Sequence, residues 1–237
     1  MKKLSFLIVL LSINVSANSI LIKSGQINDG LGNSFIGDIL IVDEKIVEVG
    51  KFLNSSSAKI IEAKGKPVTP GLISPISNIG VVEINALDVT NDDSPDFFGP
   101  GFSVFNAFNP HSTLIPWNRS NGVTSSISTP GYSSQIFKGM GSFYLLDGDI
   151  DITGNADVAM YARLGAIGGS RAETIQIMES MFELALNKDE LELEELLGTT
   201  FASSMDMQLQ DIQALSRVVN REIPLVMEVN RAIDILQ

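Results

Sequence analysis

The chain has no cysteine and only one histidine, His111, in 237 residues. The first absence excludes disulfide staples, thiol nucleophiles and zinc–cysteine sites. Stability then rests on an apolar core, which a 44% hydrophobic composition allows. The second leaves no further imidazole to complete a catalytic triad. Basic side chains are also scarce, 16 against 28 acidic ones, for a formal charge of -12. A field of that sign repels phosphate backbones and anionic lipid surfaces, so nucleic acid is not an expected partner. The apolar run from Leu4 to Ile13 falls short of the roughly 20 residues of a membrane-spanning helix. It lies between Met1-Lys2-Lys3 and the small-residue pattern Val15-Ser16-Ala17. Residues 1–17 therefore read as a bacterial secretory signal cleaved after Ala17, which puts the mature protein in the periplasm or outside the cell, with no membrane association after cleavage.

From Ser19 to Pro67 the pattern is one of short β segments separated by glycines, among them Ile20-Leu21-Ile22, Asp38 to Val42 and Lys45 to Gly50. Asp43-Glu44, between two apolar alternations, predicts a hairpin turn. A long stretch with few regular signals follows Gly80. The period then changes: Ile175, Met178, Met181, Phe182 and Ala185 predict an amphipathic helix over Gly169 to Asn187 with Ser170 as N-cap. Further helices are expected at Asp189–Leu197 and Asp206–Asn220, the second with Leu209, Ile212, Leu215 and Val219 on one face. Glu222 to Val229 reads as a short buried strand that leads into another helix.

The most distinctive segment is Val68-Thr69-Pro70-Gly71-Leu72-Ile73-Ser74-Pro75-Ile76-Ser77-Asn78-Ile79-Gly80. It resembles the V-x-P-G-L-I-D-x-H-x-H-x-G segment of the amidohydrolase superfamily, in particular its periplasmic imidazolonepropionase-like group of metal-dependent hydrolases. Gly122-Val123-Thr124-Ser125 resembles that family's second barrel strand, and Gln135 to Leu146 the strand and loop after it. Glu228-Val229-Asn230-Arg231-Ala232 is similar to the family's H-A-H-R-A or H-A-N-R-A sequence.

The resemblance implies an α/β fold: residues 18–67 as a small N-terminal β-sandwich portion, followed at 68–237 by a partial TIM-like (β/α) barrel. It implies hydrolysis of non-peptide C–N bonds at a divalent, zinc-like metal that activates water. The positions where the family carries ligand histidines are Ile76, Asn78, Glu228 and Asn230 in this chain. On that reading the metal-ligand set is degenerate, no cofactor is expected for this chain, and no catalytic residue can be assigned. Glu228 with Asn78 is the remaining combination that could hold a harder ion through oxygen.

Other candidates are weaker. His111 lies in the turn-like Phe108-Asn109-Pro110-His111-Ser112 and reads as a loop side chain. Asn91 to Asp96 is acidic but lacks the glycine and terminal glutamate of an EF-hand loop. Gly139-Met140-Gly141 lacks the lysine and helix of a phosphate loop, and Ser125, Ser126 and Ser128 read as strand hydroxyls without a partner base. Asp189 to Leu196 reads as a solvated helix face.

A closed barrel needs eight strands, whereas four or five can be placed between Val68 and Gln237. Two readings follow. One is a family product cut short, with catalysis lost or dependent on residues beyond Gln237. The other is a non-catalytic periplasmic binding or partner protein that holds a small molecule or pairs with a homologous amidohydrolase subunit.

Overall fold

A computed structural model describes residues 18–84, 87–131, 133–165, 170–189, 195 and 197–235. The expected signal sequence and most of the expected Asp189–Leu197 helix lie outside the described residues. The chain divides into two compact units between Pro70 and Gly71.

The first unit is one sheet of five strands: β1 (Ser19–Asn28), β2 (Ser34–Val42), β3 (Lys45–Gly50), β4 (Lys59–Glu62) and β5 (Pro67–Val68). Its order is β3-β2-β1-β4, with β5 also paired to β1. The β2–β3 hairpin closes at Asp43-Glu44, whose φ values of 47° and 67° are the two left-handed conformations that a two-residue hairpin needs. The pairing of β1 with β2 is interrupted between Ile22 and Gly25, and Ser24 there has φ 56°. Buried Asp38 holds that irregularity: one carboxylate oxygen accepts from the Ser24 N–H at 2.8 Å and the other from the Leu53 N–H at 2.9 Å. Leu21, Ile27 and Ile39 are buried, while Ile46, Val47, Val49, Ile60 and Ile61 remain exposed. Phe35, Ile39, Ile46, Val49 and Val68 border an open apolar cleft of about 410 Å³.

The second unit is built on β6 (Leu72–Ser77), β7 (Val123–Ser128), β8 (Phe137–Leu145), β9 (Gly154–Arg163) and β10 (Leu225–Glu228), in the order β10-β9-β8-β7-β6. The pairs β6–β7 and β9–β10 are parallel, whereas β8 runs against both of its neighbours. The connections explain this. Parallel strands need a crossover, and α1 (Leu114–Ser120) lies between β6 and β7, while α2 (Arg171–Leu186), α3 (Thr200–Ser204) and α4 (Leu209–Val219) lie between β9 and β10. Among the described residues, the links 129–136 and 146–153 contain no helix, and the chain turns back on itself at both. The result is a curled half-barrel sheet in which four strands run one way and β8 the other.

Ser170 caps α2 as expected, its hydroxyl accepting from the Glu173 N–H at 3.1 Å. The α2 side chains Met178, Met181 and Ala185 pack with Ile212 and Leu215 of α4 against Phe137, Met160 and Ala162 of the sheet. The helix expected from Asp206 begins at Leu209 instead, because Asp206 adopts φ 55° and breaks the chain direction. A last short helix, α5 (Ala232–Ile235), pairs its Asp234 with Arg171 at the start of α2.

The irregular segment after Gly80 has its own anchors. Tyr144 of β8 stacks on Phe108 at 3.9 Å between centroids and on Phe105 at 5.8 Å, within a cluster that includes Ile79, Ile115 and Leu146. Buried Asp211 of α4 fixes a second stretch. It accepts from the N–H groups of Gly99 (3.3 Å), Gly101 (2.8 Å) and Gln208 (2.9 Å), so one carboxylate caps the helix and secures a loop more than 100 residues away.

Tyr161 of β9 crosses the concave side of the sheet, past β8 and β7, and donates to the Pro75 carbonyl of β6 at 3.0 Å. Gly141 of β8 leaves room for it: a Cβ there would stand 2.6 Å from the Tyr161 ring. Gly139, at φ 123° in a register irregularity of β8, faces the Phe102 carbonyl just as tightly. The Gly139-Met140-Gly141 spacing thus serves close packing.

Two outcomes are expected. Asp211→Ala, which strands three donors, lowers unfolding free energy by about 2–3 kcal/mol in urea titration. Burial raises the pKa of the Tyr161 and Tyr144 hydroxyls above the ordinary value near 10, and the Asp157 carboxylate adds to the rise at Tyr144. The unfolded chain therefore loses these protons first. The stability they contribute is present below about pH 10 and is lost as pH rises further. Tyr161→Phe should flatten the alkaline part of the stability–pH curve, and at neutral pH it should cost about 1 kcal/mol through loss of the bond to Pro75.

Candidate functional site

Strands β6, β7, β9 and β10 run in one direction, so their C-terminal ends, Ser77, Ser128, Arg163 and Glu228, share one rim of the sheet. Strand β8 runs the other way and brings its first residues, Phe137 and Lys138, to the same rim. In barrel folds this is the face where catalytic side chains gather.

On the β6 side the hydroxyls serve the backbone. Ser77 and Ser126 hydrogen-bond to each other, the Ile79 N–H donates to Ser77 Oγ at 3.3 Å, and Ser128 donates to the Ile79 carbonyl at 2.6 Å. Thr129 donates both its N–H (2.8 Å) and its hydroxyl (3.2 Å) to the Ser77 carbonyl. These bonds secure the turn after β6 against the end of β7. Ser126 and Ser128 are fully buried, and their hydroxyls engage the Ser77 hydroxyl and the Ile79 carbonyl, neither of which is a base.

Ile76 lies on β6 with 63% of its surface exposed and has no donor atom to offer a metal. Asn78, half-buried, follows the strand, and its backbone carbonyl accepts from the N–H groups of Val81 (3.1 Å) and Val82 (3.0 Å). Glu228 ends β10 and its carboxylate is engaged twice, with Lys138 Nζ 3.3 Å from one oxygen and Arg163 Nε 3.6 Å from the other. Lys138 is the most sheltered of the three. Asn230 is exposed just beyond the strand. Glu228 and Asn78 come from opposite edge strands, β10 and β6. Among the described residues, no group of three or more His, Cys, Asp or Glu side chains is placed to hold a metal ion.

His111 is exposed in its turn, where its N–H donates to Asn109 Oδ1 at 3.0 Å, away from the strand ends. Asp93 of the acidic loop accepts from the Ser94 hydroxyl at 3.0 Å, and its backbone carbonyl accepts from the Gly131 N–H. The sequence reading passed over Lys138 and Arg163. Their part depends on the antiparallel setting of β8 beside β9, and no local sequence signal announces that pairing.

No family model matches the chain. It is 47% identical over 57 residues to a 5-methylthioadenosine/S-adenosylhomocysteine deaminase of Thermococcus onnurineus, a match covering 24% of this chain and 13% of that protein. It is 43% identical over 56 residues to a dihydroorotase of Lactococcus lactis, covering 23% of this chain and again 13% of the relative. The crystal structure of an amidohydrolase from Thermotoga maritima superposes with a TM-score of 0.70 at 24% identity, over 92% of this chain and 60% of that one. In fold the chain is similar to part of that amidohydrolase, and in two short stretches of sequence it is similar to a deaminase and a dihydroorotase, as the resemblance to an N-terminal portion of the amidohydrolase superfamily implies.

Proposed function

We propose that the protein descends from hydrolases of non-peptide carbon–nitrogen bonds and that the residues of this chain do not assemble the metal centre of such enzymes. Likeness to a deaminase and a dihydroorotase supports the first part. The Lys138–Glu228–Arg163 cluster carries the second. Family chemistry calls for several ligands fixed around one divalent ion. Here Ile76 has no lone pair to give, Asn78 is a neutral amide, and the Glu228 carboxylate faces two cations. A divalent ion brought to Glu228 would meet the Lys138 ammonium and the Arg163 guanidinium, so the donor set does not fit the metal.

A second reading is favoured by the exposed apolar surface. Leu72, Ile73 and Ile76 line β6, an edge strand of the half-barrel, and edge strands of this kind invite pairing. The chain spans 60% of the length of the Thermotoga amidohydrolase. On this reading further strands complete the sheet, supplied by a longer form of the protein or by a homologous subunit, and the finished rim holds a small molecule.

After incubation with zinc, cobalt or manganese and desalting, metal analysis of the chain is expected to find no stoichiometric ion, with no hydrolysis of dihydroorotate and no deamination of 5-methylthioadenosine or S-adenosylhomocysteine. Stoichiometric metal that disappears in Glu228→Ala would overturn the first reading. Intact mass of the protein secreted by its native cell checks the second. A mass well above that of residues 18–237, or a stable complex with an amidohydrolase, is the expected result, and a monomer of the short mass would overturn it.

A further inference from the structure

Thioether sulfur is concentrated in one place in this protein. All seven methionines beyond Met1 belong to the core cluster between the half-barrel sheet and its helices: Met140, Met160, Met178, Met181 and Met207 are buried, and Met205 and Met227 pack against them. Methionine ordinarily fills gaps in a core because its side chain is flexible. Three of these residues also border open space: Met181 of α2, with Met205 and Met207 of the turn between α3 and α4, lines a surface-open cavity of about 380 Å³.

The turn that presents two of them is well fixed. The Met205 N–H donates to the Phe201 carbonyl at 3.0 Å and the Met207 N–H to the Ala202 carbonyl at 3.1 Å. Asp206 between them adopts φ 55°. That left-handed residue reverses the chain so that Met205 and Met207, two apart in sequence, line the same cavity. Asp206 itself, an exposed residue, belongs to the cavity wall and brings a negative charge to it. Asp211, also in the wall, is committed to the backbone bonds of Gly99, Gly101 and Gln208.

We propose that this cavity is a binding site for a soft monovalent metal ion, copper(I), with the thioethers of Met181, Met205 and Met207 as ligands and the Asp206 carboxylate balancing the charge. Thioether sulfur prefers copper(I) over the divalent ions that oxygen and imidazole take. The chain offers no thiolate to compete, since it contains no cysteine. The cavity adjoins the strand-end rim through Phe137, but the three sulfurs lie on the helices and their connecting turn and include no member of the Lys138–Glu228–Arg163 cluster.

Silver(I), which has the same ligand preference and no accessible redox change, tests the proposal. Silver nitrate is titrated into the chain in chloride-free buffer by isothermal titration calorimetry. One equivalent is expected to bind, and Met181→Leu, Met205→Leu and Met207→Leu should each weaken the affinity at least about tenfold. Met178→Leu, outside the cavity wall, and His111→Ala should leave it unchanged. Leucine for methionine nearly conserves volume, so the variants keep their fold, which circular dichroism checks. Absence of binding would overturn the proposal, as would binding that survives the Met205→Leu/Met207→Leu double variant or disappears in His111→Ala.

Discussion

The hydrogen bond from Tyr161 to the Pro75 carbonyl spans the curl of the half-barrel, joining strands that are three places apart in the sheet. Sheet twist alone sets a hand but leaves the curvature soft. A buried ring reaching across the hollow side sets how far β6 and β9 can separate. Gly141 clears its path, on the face of the sheet that also carries Ile127.

The same crossing sets the character of the rim. Tyr161 reaches β6 beside Ile76, and two residues farther along its own strand Arg163 meets the Glu228 carboxylate. A protein of net charge -12 thus places two cations and one carboxylate at its strand ends. Partial exposure makes each pair modest in energy, since exposed ion pairs contribute about 0–1 kcal/mol. Their importance is chemical: on the reading proposed above, two cations beside Glu228 disfavour a divalent ion there.

Local features were legible in the sequence wherever one residue type has one physical reason to stand in one place. Asp43-Glu44 reads as a hairpin because two residues must carry the chain through a tight reversal. Ser170 reads as a cap because its hydroxyl can satisfy a free N–H, and the Met178–Met181–Ala185 spacing reads as a buried helix face. The start of α4 was placed three residues early because nothing local marks the left-handed turn at Asp206. The Lys138–Glu228–Arg163 cluster was invisible for a related reason. Its members are as much as 90 residues apart, and they meet only because helix-free links reverse β8 between its neighbours.

The sequence by itself determined the family resemblance and the chemistry that is excluded. Absence of cysteine and of a second histidine, acidic balance, and the Val68–Gly80 motif with Ile76 and Asn78 at its informative positions are properties of composition and order, and folding cannot change them. Tertiary structure decided the rest: the reversed direction of β8, the tyrosine chord, the pairing that occupies Glu228 and the gathering of three methionines around one cavity. Each depends on contacts between residues far apart in the chain, whose meeting is set by strand direction and helix packing rather than by any local pattern.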